Sequence, residues 1–144
     1  LFSDGWVGIV ATDNPDVGDR ITMEIAAALP WVFTYQSQAA FTPAGRQLHE
    51  LGIEPQIDCV VEGFLALPSF IAGTRRLGLV QARLAPYVAA HAGVRVVAPP
   101  FEPTPIRNAL WWHPVHDRDP DHLWMRSLFA EAGRELAAEA PVQS

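Results

Sequence analysis

Val94-Arg95-Val96-Val97-Ala98-Pro99-Pro100-Phe101-Glu102-Pro103-Thr104-Pro105-Ile106 decides the fold. Val94 to Val97 is a short β-branched run that reads as a strand. The prolines at 99, 100, 103 and 105 then forbid a helix, because proline lacks the N–H and holds its predecessor in an extended conformation. The chain therefore leaves its strand along an extended link, the best hinge candidate in the sequence. Beyond it, Ile106 to Trp112 returns as a strand. Asp119-Pro120 then opens a last helix whose apolar positions Trp124, Leu128, Ala132 and Leu136 recur every four residues.

Upstream, strands alternate with helices. Trp6 to Thr12 is an apolar run stopped by Asp13-Asn14-Pro15, a turn sequence. Thr22 caps a short helix through Leu29, and Trp31 to Tyr35 reads as a strand covered on both faces. Thr42-Pro43 starts a second helix, with Gly52 where a left-handed helix end favours glycine. Gln56 to Val61 is a strand, Phe64 to Ala72 a helix, Leu77 to Val80 a strand and Arg83 to His91 a helix. This order predicts an α/β protein with a largely parallel sheet and helices on both faces. The two crossings, near Asn14 and Pro103, divide it into a middle lobe of residues 14–103 and a partial lobe formed by 1–13 and 104–144, as in a two-lobed ligand-binding architecture. The tail Pro141 to Ser144 is expected to fray.

The 144 residues, 49% apolar and carrying a formal charge of -6, suit one soluble domain. All 10 basic residues are arginine, which removes the lysine of a P-loop and the lysine of a pyridoxal Schiff base. The acidic balance offers no basic footprint for a phosphate backbone. A single cysteine, no membrane-length apolar run and no secretion signal point to the cytoplasm. The start at Leu1, almost directly in a strand, suggests part of a longer chain.

Few residues suggest covalent chemistry. His113 to His122 contains three histidines with Asp117, Asp119 and Asp121, which raises the alternative of a metal-dependent hydrolase. The spacing fits neither a calcium loop nor a zinc site, and Asp119 acting as helix cap with Asp121 near the positive helix end accounts for most of it. Cys59, among Ile57, Val60 and Val61, reads as a small core residue. Ser37, Ser69 and Ser127 lack a nucleophile-elbow context. His49 and His91 read as surface residues near helix ends, and Arg75 and Arg76 as answers to a helix dipole, with an effector carboxylate or a partner subunit as the alternative. Phe64, opening a helix directly after a strand, and Phe101, in the link, fall where α/β folds place a ligand crevice. Backbone N–H groups near Gly63 could meet an acidic group there.

Leu110-Trp111-Trp112-His113-Pro114 followed by Asp119-Pro120-Asp121-His122-Leu123-Trp124-Met125-Arg126 resembles the C-terminal end of LysR-type transcriptional regulators, in the branch of nodulation and aromatic-catabolism activators. Val7 to Val10 with Asp13-Asn14-Pro15, Ile21-Thr22, Ala28-Leu29-Pro30 and Gly63 to Pro68 fit the same pattern in the same order. The resemblance implies the effector-binding domain, folded like type 2 periplasmic binding proteins, with one complete lobe and the C-terminal part of the other. It implies a homodimer or homotetramer in the full-length protein and contact with promoter DNA only through an N-terminal winged helix-turn-helix outside this chain. It implies no enzyme activity, no cofactor, no metal and no membrane. The expected effector-binding residues are Trp31, Phe33, Gly63, Phe64, Pro100, Phe101 and Trp112; positions 31 and 63 are often histidine in this branch, so a flat, apolar acid is the expected effector. A small-molecule binding protein without a regulatory role is the other alternative.

Overall fold

Every residue of β2, Trp6–Ala11, is buried, because this strand runs through the middle of a sheet with helices on both faces. The computed structural model describes residues 1–34, 42–90 and 93–138. Within these, β1 (Phe2–Asp4) and β2 are followed by α1 (Met23–Ala28), β3 (Pro30–Thr34), α2 (Pro43–Glu50), β4 (Gln56–Val61), α3 (Leu67–Ile71), β5 (Gly78–Gln81), α4 (Ala85–Ala89), β6 (Val94–Val97), β7 (Ile106–Asn108) and α5 (Pro120–Ala138).

β2 lies antiparallel to β5, from Trp6 opposite Gln81 to Ile9 opposite Gly78, and to β6, from Gly8 opposite Val97 to Ala11 opposite Val94. β3 and β4 pair in parallel, with an irregularity between Trp31 and Val32. A parallel bridge between Trp31 and Leu77 joins that pair to the others, through Leu77 N–H to Pro30 O at 2.8 Å and Val32 N–H to Leu77 O at 2.9 Å. The spatial order is β4-β3-β5-β2-β6, in which β2 alone runs against the rest. The expected parallel sheet is thus mixed, because β2 enters from outside the β-α repeats while the others are joined by helical crossovers.

Alternation along β2 sorts the core. Trp6 and Val10 point into one cluster with Ala26, Ala44 and Leu48 from the α1 and α2 side; Val7 and Ile9 point into another with Leu67, Ile71, Ala85 and Val88 from α3 and α4. Gly8 admits this packing: a Cβ there would lie 2.7 Å from Ile21 Cδ1 and 2.9 Å from Val97 Cγ2. Local signals place the helices. The hydroxyl of Thr22 accepts from Ile25 N–H at 3.3 Å and that of Thr42 from Gly45 N–H at 3.1 Å, and Gly52 has φ +76° past the end of α2. The expected helices 64–72 and 83–91 each begin as a three-residue 3₁₀ turn, Phe64–Ala66 and Ala82–Leu84, before α3 and α4. Tyr35, Ser37, His91 and the tail 141–144 lie outside the described residues.

Strand pairing divides the expected first segment, residues 1–13, at Gly5. β1 pairs with β7, while β2, one residue on, belongs wholly to the five-stranded layer. β7 ends at Asn108 rather than Trp112, since its partner β1 offers only three residues. α5 closes on β1 through Gly133, where an added Cβ would lie 3.1 Å from Leu1 Cβ. No described helix is long and apolar enough to cross a membrane.

Candidate functional site

One end of the layer gathers both chain crossings. β2 starts there after Gly5, and β3 and β4 end there at Thr34 and Val61. β6 also ends there, and the link 98–105 leaves toward β7. The link is fastened to the layer. On α2, the Gln47 carboxamide donates to Glu102 O at 2.7 Å and accepts from Thr104 N–H at 2.8 Å and from the Thr104 hydroxyl at 3.2 Å. Arg20 pairs in parallel with Ala98, through Ile21 N–H to Ala98 O at 2.9 Å and Ala98 N–H to Asp19 O at 3.0 Å.

At this end Phe33 is buried, and Phe64 and Phe101 are partly buried against the same cluster, together with Ile106 from β7. Gly63 lies in extended backbone beside Phe64, with nothing within 4 Å of its Cβ position, and Pro100 is half-buried next to Phe101. Phe33, Phe64 and Phe101 thus share one core cluster, with Gly63 and Pro100 next to the latter two in the chain.

Trp31 lies in the same cluster but is enclosed, and Trp112 lies apart from it. Trp31 is 0% exposed, its indole N–H donates to Ala26 O at 2.8 Å, and its ring meets Phe33 edge-on at 5.8 Å between centroids. It is a core residue between β3 and α1 and offers no surface to a ligand. The reason is the register: β3 is inside the sheet, so both its faces are covered. Trp112 is held elsewhere. Its indole N–H donates to Asp117 Oδ1 at 2.9 Å and Arg126 sits over its ring at 4.4 Å.

The sequence reading missed Trp6. It is 5% exposed, its ring centre is 5.7 Å from that of Phe64, and its Nε1 is buried without a hydrogen-bond partner. Tryptophan at the first position of a strand, directly after a glycine crossing, was the available signal.

The His113 to His122 stretch is engaged in local structure. Val115 N–H donates to His113 Nδ1 at 3.2 Å, and the rings of His116 and His122 stack at 4.9 Å. Asp119 Oδ1 accepts from Asp121 N–H at 3.0 Å and His122 N–H at 3.3 Å; the His122 amide, foremost, holds the Asp119 carboxyl below the usual aspartate range. Among the described residues, no group of three or more His, Cys, Asp or Glu is placed to hold a metal ion. Arg75 and Arg76 pair through Nε with Asp16 and Asp58, each at 2.5 Å, and Arg76 also donates to Phe70 O at 3.0 Å near the end of α3. Cys59 is half-buried on the edge strand β4 rather than enclosed.

A mixed sheet entered by a reversed strand, with two crossings at one end and an apolar seam beside them, defines a domain of the periplasmic-binding-protein-like class. No protein-family model matches the chain. Nodulation protein D 2 of Rhizobium tropici is 31% identical over 145 residues, covering 99% of this chain and 46% of that protein. The HTH-type transcriptional regulator SyrM of Rhizobium meliloti is 32% identical over 133 residues, covering 92% and 41%. The regulatory domain of MexT, a transcriptional activator in Pseudomonas aeruginosa, superposes with TM-score 0.71 at 22% identity, covering 90% of this chain and 63% of that one. The effector-binding domain of QuiR in complex with shikimate superposes with TM-score 0.64 at 18% identity, covering 94% and 64%. The chain spans about half the length of the curated relatives it matches. Its sequence is similar to these nodulation and HTH-type regulators over nearly the whole chain, and its fold is that of the solved regulatory and effector-binding domains.

Proposed function

We propose that this segment senses a small, flat, apolar acid at the seam between the five-stranded layer and β7. In the full-length protein, working in the cytoplasm as a homodimer or homotetramer, that event alters how an N-terminal winged helix-turn-helix sits on promoter DNA. The observation that carries the reading is the clustering of Phe33, Phe64, Phe101 and Ile106 where the chain passes twice between the layer and the β1–β7 pair. A ligand between two such units changes their relative arrangement only if it binds one arrangement better. QuiR, a fold neighbour, holds shikimate. Here, partly exposed aromatic side chains supply packing worth about 0.5–1.5 kcal/mol per ring pair beyond area burial, whereas sugars would lose hydration without enough polar partners.

Calorimetry on the full-length protein tests this. Aromatic acids should bind at least tenfold more tightly than sugars or free amino acids, and Phe101→Ala should weaken them. Preferential binding of a sugar, or an unchanged affinity in Phe101→Ala, removes the seam as the effector site.

A further inference from the structure

Trp6 Nε1 is an anomaly for a native interior. Its residue is 5% exposed, the nitrogen is shielded from solvent, and among the described residues no acceptor lies within hydrogen-bond distance. Buried polar groups are overwhelmingly paired, and an unpaired donor costs about 1–3 kcal/mol. Phe64, whose ring lies against Trp6, and the other apolar side chains of the same cluster, Phe33, Phe101 and Ile106 among them, cannot satisfy it. The contrast with Trp31 is instructive, since that indole, equally buried, has its carbonyl at 2.8 Å.

We infer that the Trp6 indole N–H is the effector's hydrogen-bond donor, uncovered when Phe64 moves aside; the inference rests on the reading of the seam as the effector site. Phe64 is suited to move. Its ring lies tilted against that of Trp6 at 5.7 Å, it is only partly buried, and it rides on a three-residue 3₁₀ turn entered through Gly63, around whose Cβ position there is open space. The donor's chemistry restricts the ligand. One neutral N–H in an apolar seam satisfies a carbonyl oxygen but leaves an ionised carboxylate short of partners. The effector therefore places a neutral oxygen acceptor against Trp6 and keeps its acid group toward water at the mouth.

Two flat acids that differ at one group test this on the full-length protein: 4-acetylbenzoate, which has the carbonyl, and 4-ethylbenzoate, which lacks it. The acetyl compound should bind roughly three- to tenfold more tightly, the range one net hydrogen bond supplies, and Trp6→Phe should bring the ratio of the two affinities to about one, whatever it does to both together. In ¹⁵N-tryptophan spectra the Trp6 indole resonance should move downfield with 4-acetylbenzoate and not with 4-ethylbenzoate. Phe64→Ala should hasten its exchange with solvent. If Trp6→Phe fails to fold, the wild-type spectra still decide, with the resonance assigned by replacing the other tryptophans. Equal binding of the two acids, or an unmoved Trp6 resonance, overturns the donor role while the seam stands as the effector site. Binding of neither acid overturns both.

Discussion

The five-stranded layer and the terminal unit of β1, β7 and α5 hold themselves together differently. The central strands of the layer are buried on both faces: Ile9, Val10, Trp31 and Val80 are fully enclosed, and helices cover each side. α5 is the longest helix described, yet its only buried residue is Gly133, while Leu123, Trp124, Leu128 and Phe129 are exposed. Polar contacts hold its entry: Asp119 as cap, and Arg126 laid over Trp112 and donating to Asp117 O at 3.0 Å. An apolar stripe at helical spacing thus announces a helix but does not by itself supply what the stripe packs against. In the layer the covering helices alternate with the strands along the chain; α5 packs on β1 and meets the layer through Arg83, which donates to Leu136 O at 2.5 Å.

The largest test of this contrast sets Trp31→Ala against Trp124→Ala. Trp31 fills the core and donates a buried hydrogen bond, so its loss should cost about 3–5 kcal/mol, whereas the exposed Trp124 should change stability by no more than about 0.5 kcal/mol. Urea unfolding measures both. A large loss at Trp124 would show that α5 is covered in solution and would erase the distinction drawn here.

Gly8→Ala sharpens the account of the layer. The new methyl would press on Ile21 and Val97 and come within 3.2 Å of Val97 O, so overpacking should cost about 1–3 kcal/mol. Gly18→Ala, where nothing lies within 4 Å, serves as the comparison and should be close to neutral. Equal midpoints for the two variants would mean that β2 and β6 are less closely packed than described.

The smallest effect concerns the polar hold on α5. Hydrogen bonds from the His122 and Asp121 amides favour the ionised Asp119 carboxylate. A carboxyl lowered on folding contributes stability fully at pH values above its ordinary, unfolded value, and loses it as pH falls through the lowered one. Protection of the His122 amide against hydrogen exchange should accordingly persist through the ordinary aspartate range and decline below it. Asp119→Asn keeps a capping oxygen without a titrating charge and should flatten that profile. An identical acid dependence in the variant would assign the decline to another group.

Much of the layer was legible in the residues. β4 and β6 fall at their expected bounds, and the caps at Thr22, Thr42 and Asp119 act where they were read, because a hydroxyl or carboxylate beside free helix N–H groups is a local interaction. The resemblance gave the class. In the candidate site, Phe64 and Phe101 were read from strand ends and the link, and both are partly buried against one core cluster. The enclosure of Trp31 and the separate setting of Trp112 were not legible, because an aromatic ring serves a core, a surface knot or a ligand wall with the same local signature.

The sequence by itself determined the alternation of strands and helices, the proline link and the helix starts, all of which depend on neighbours a few residues apart. Only the tertiary structure decided that β2 runs against its neighbours and that strand pairing divides the first segment at Gly5. It alone left Trp31 with an acceptor and Trp6 without one. Those outcomes depend on which strand lies beside which, and strand pairing joins residues that are distant in the chain: Gly8 meets Leu79 on one side and Val97 on the other.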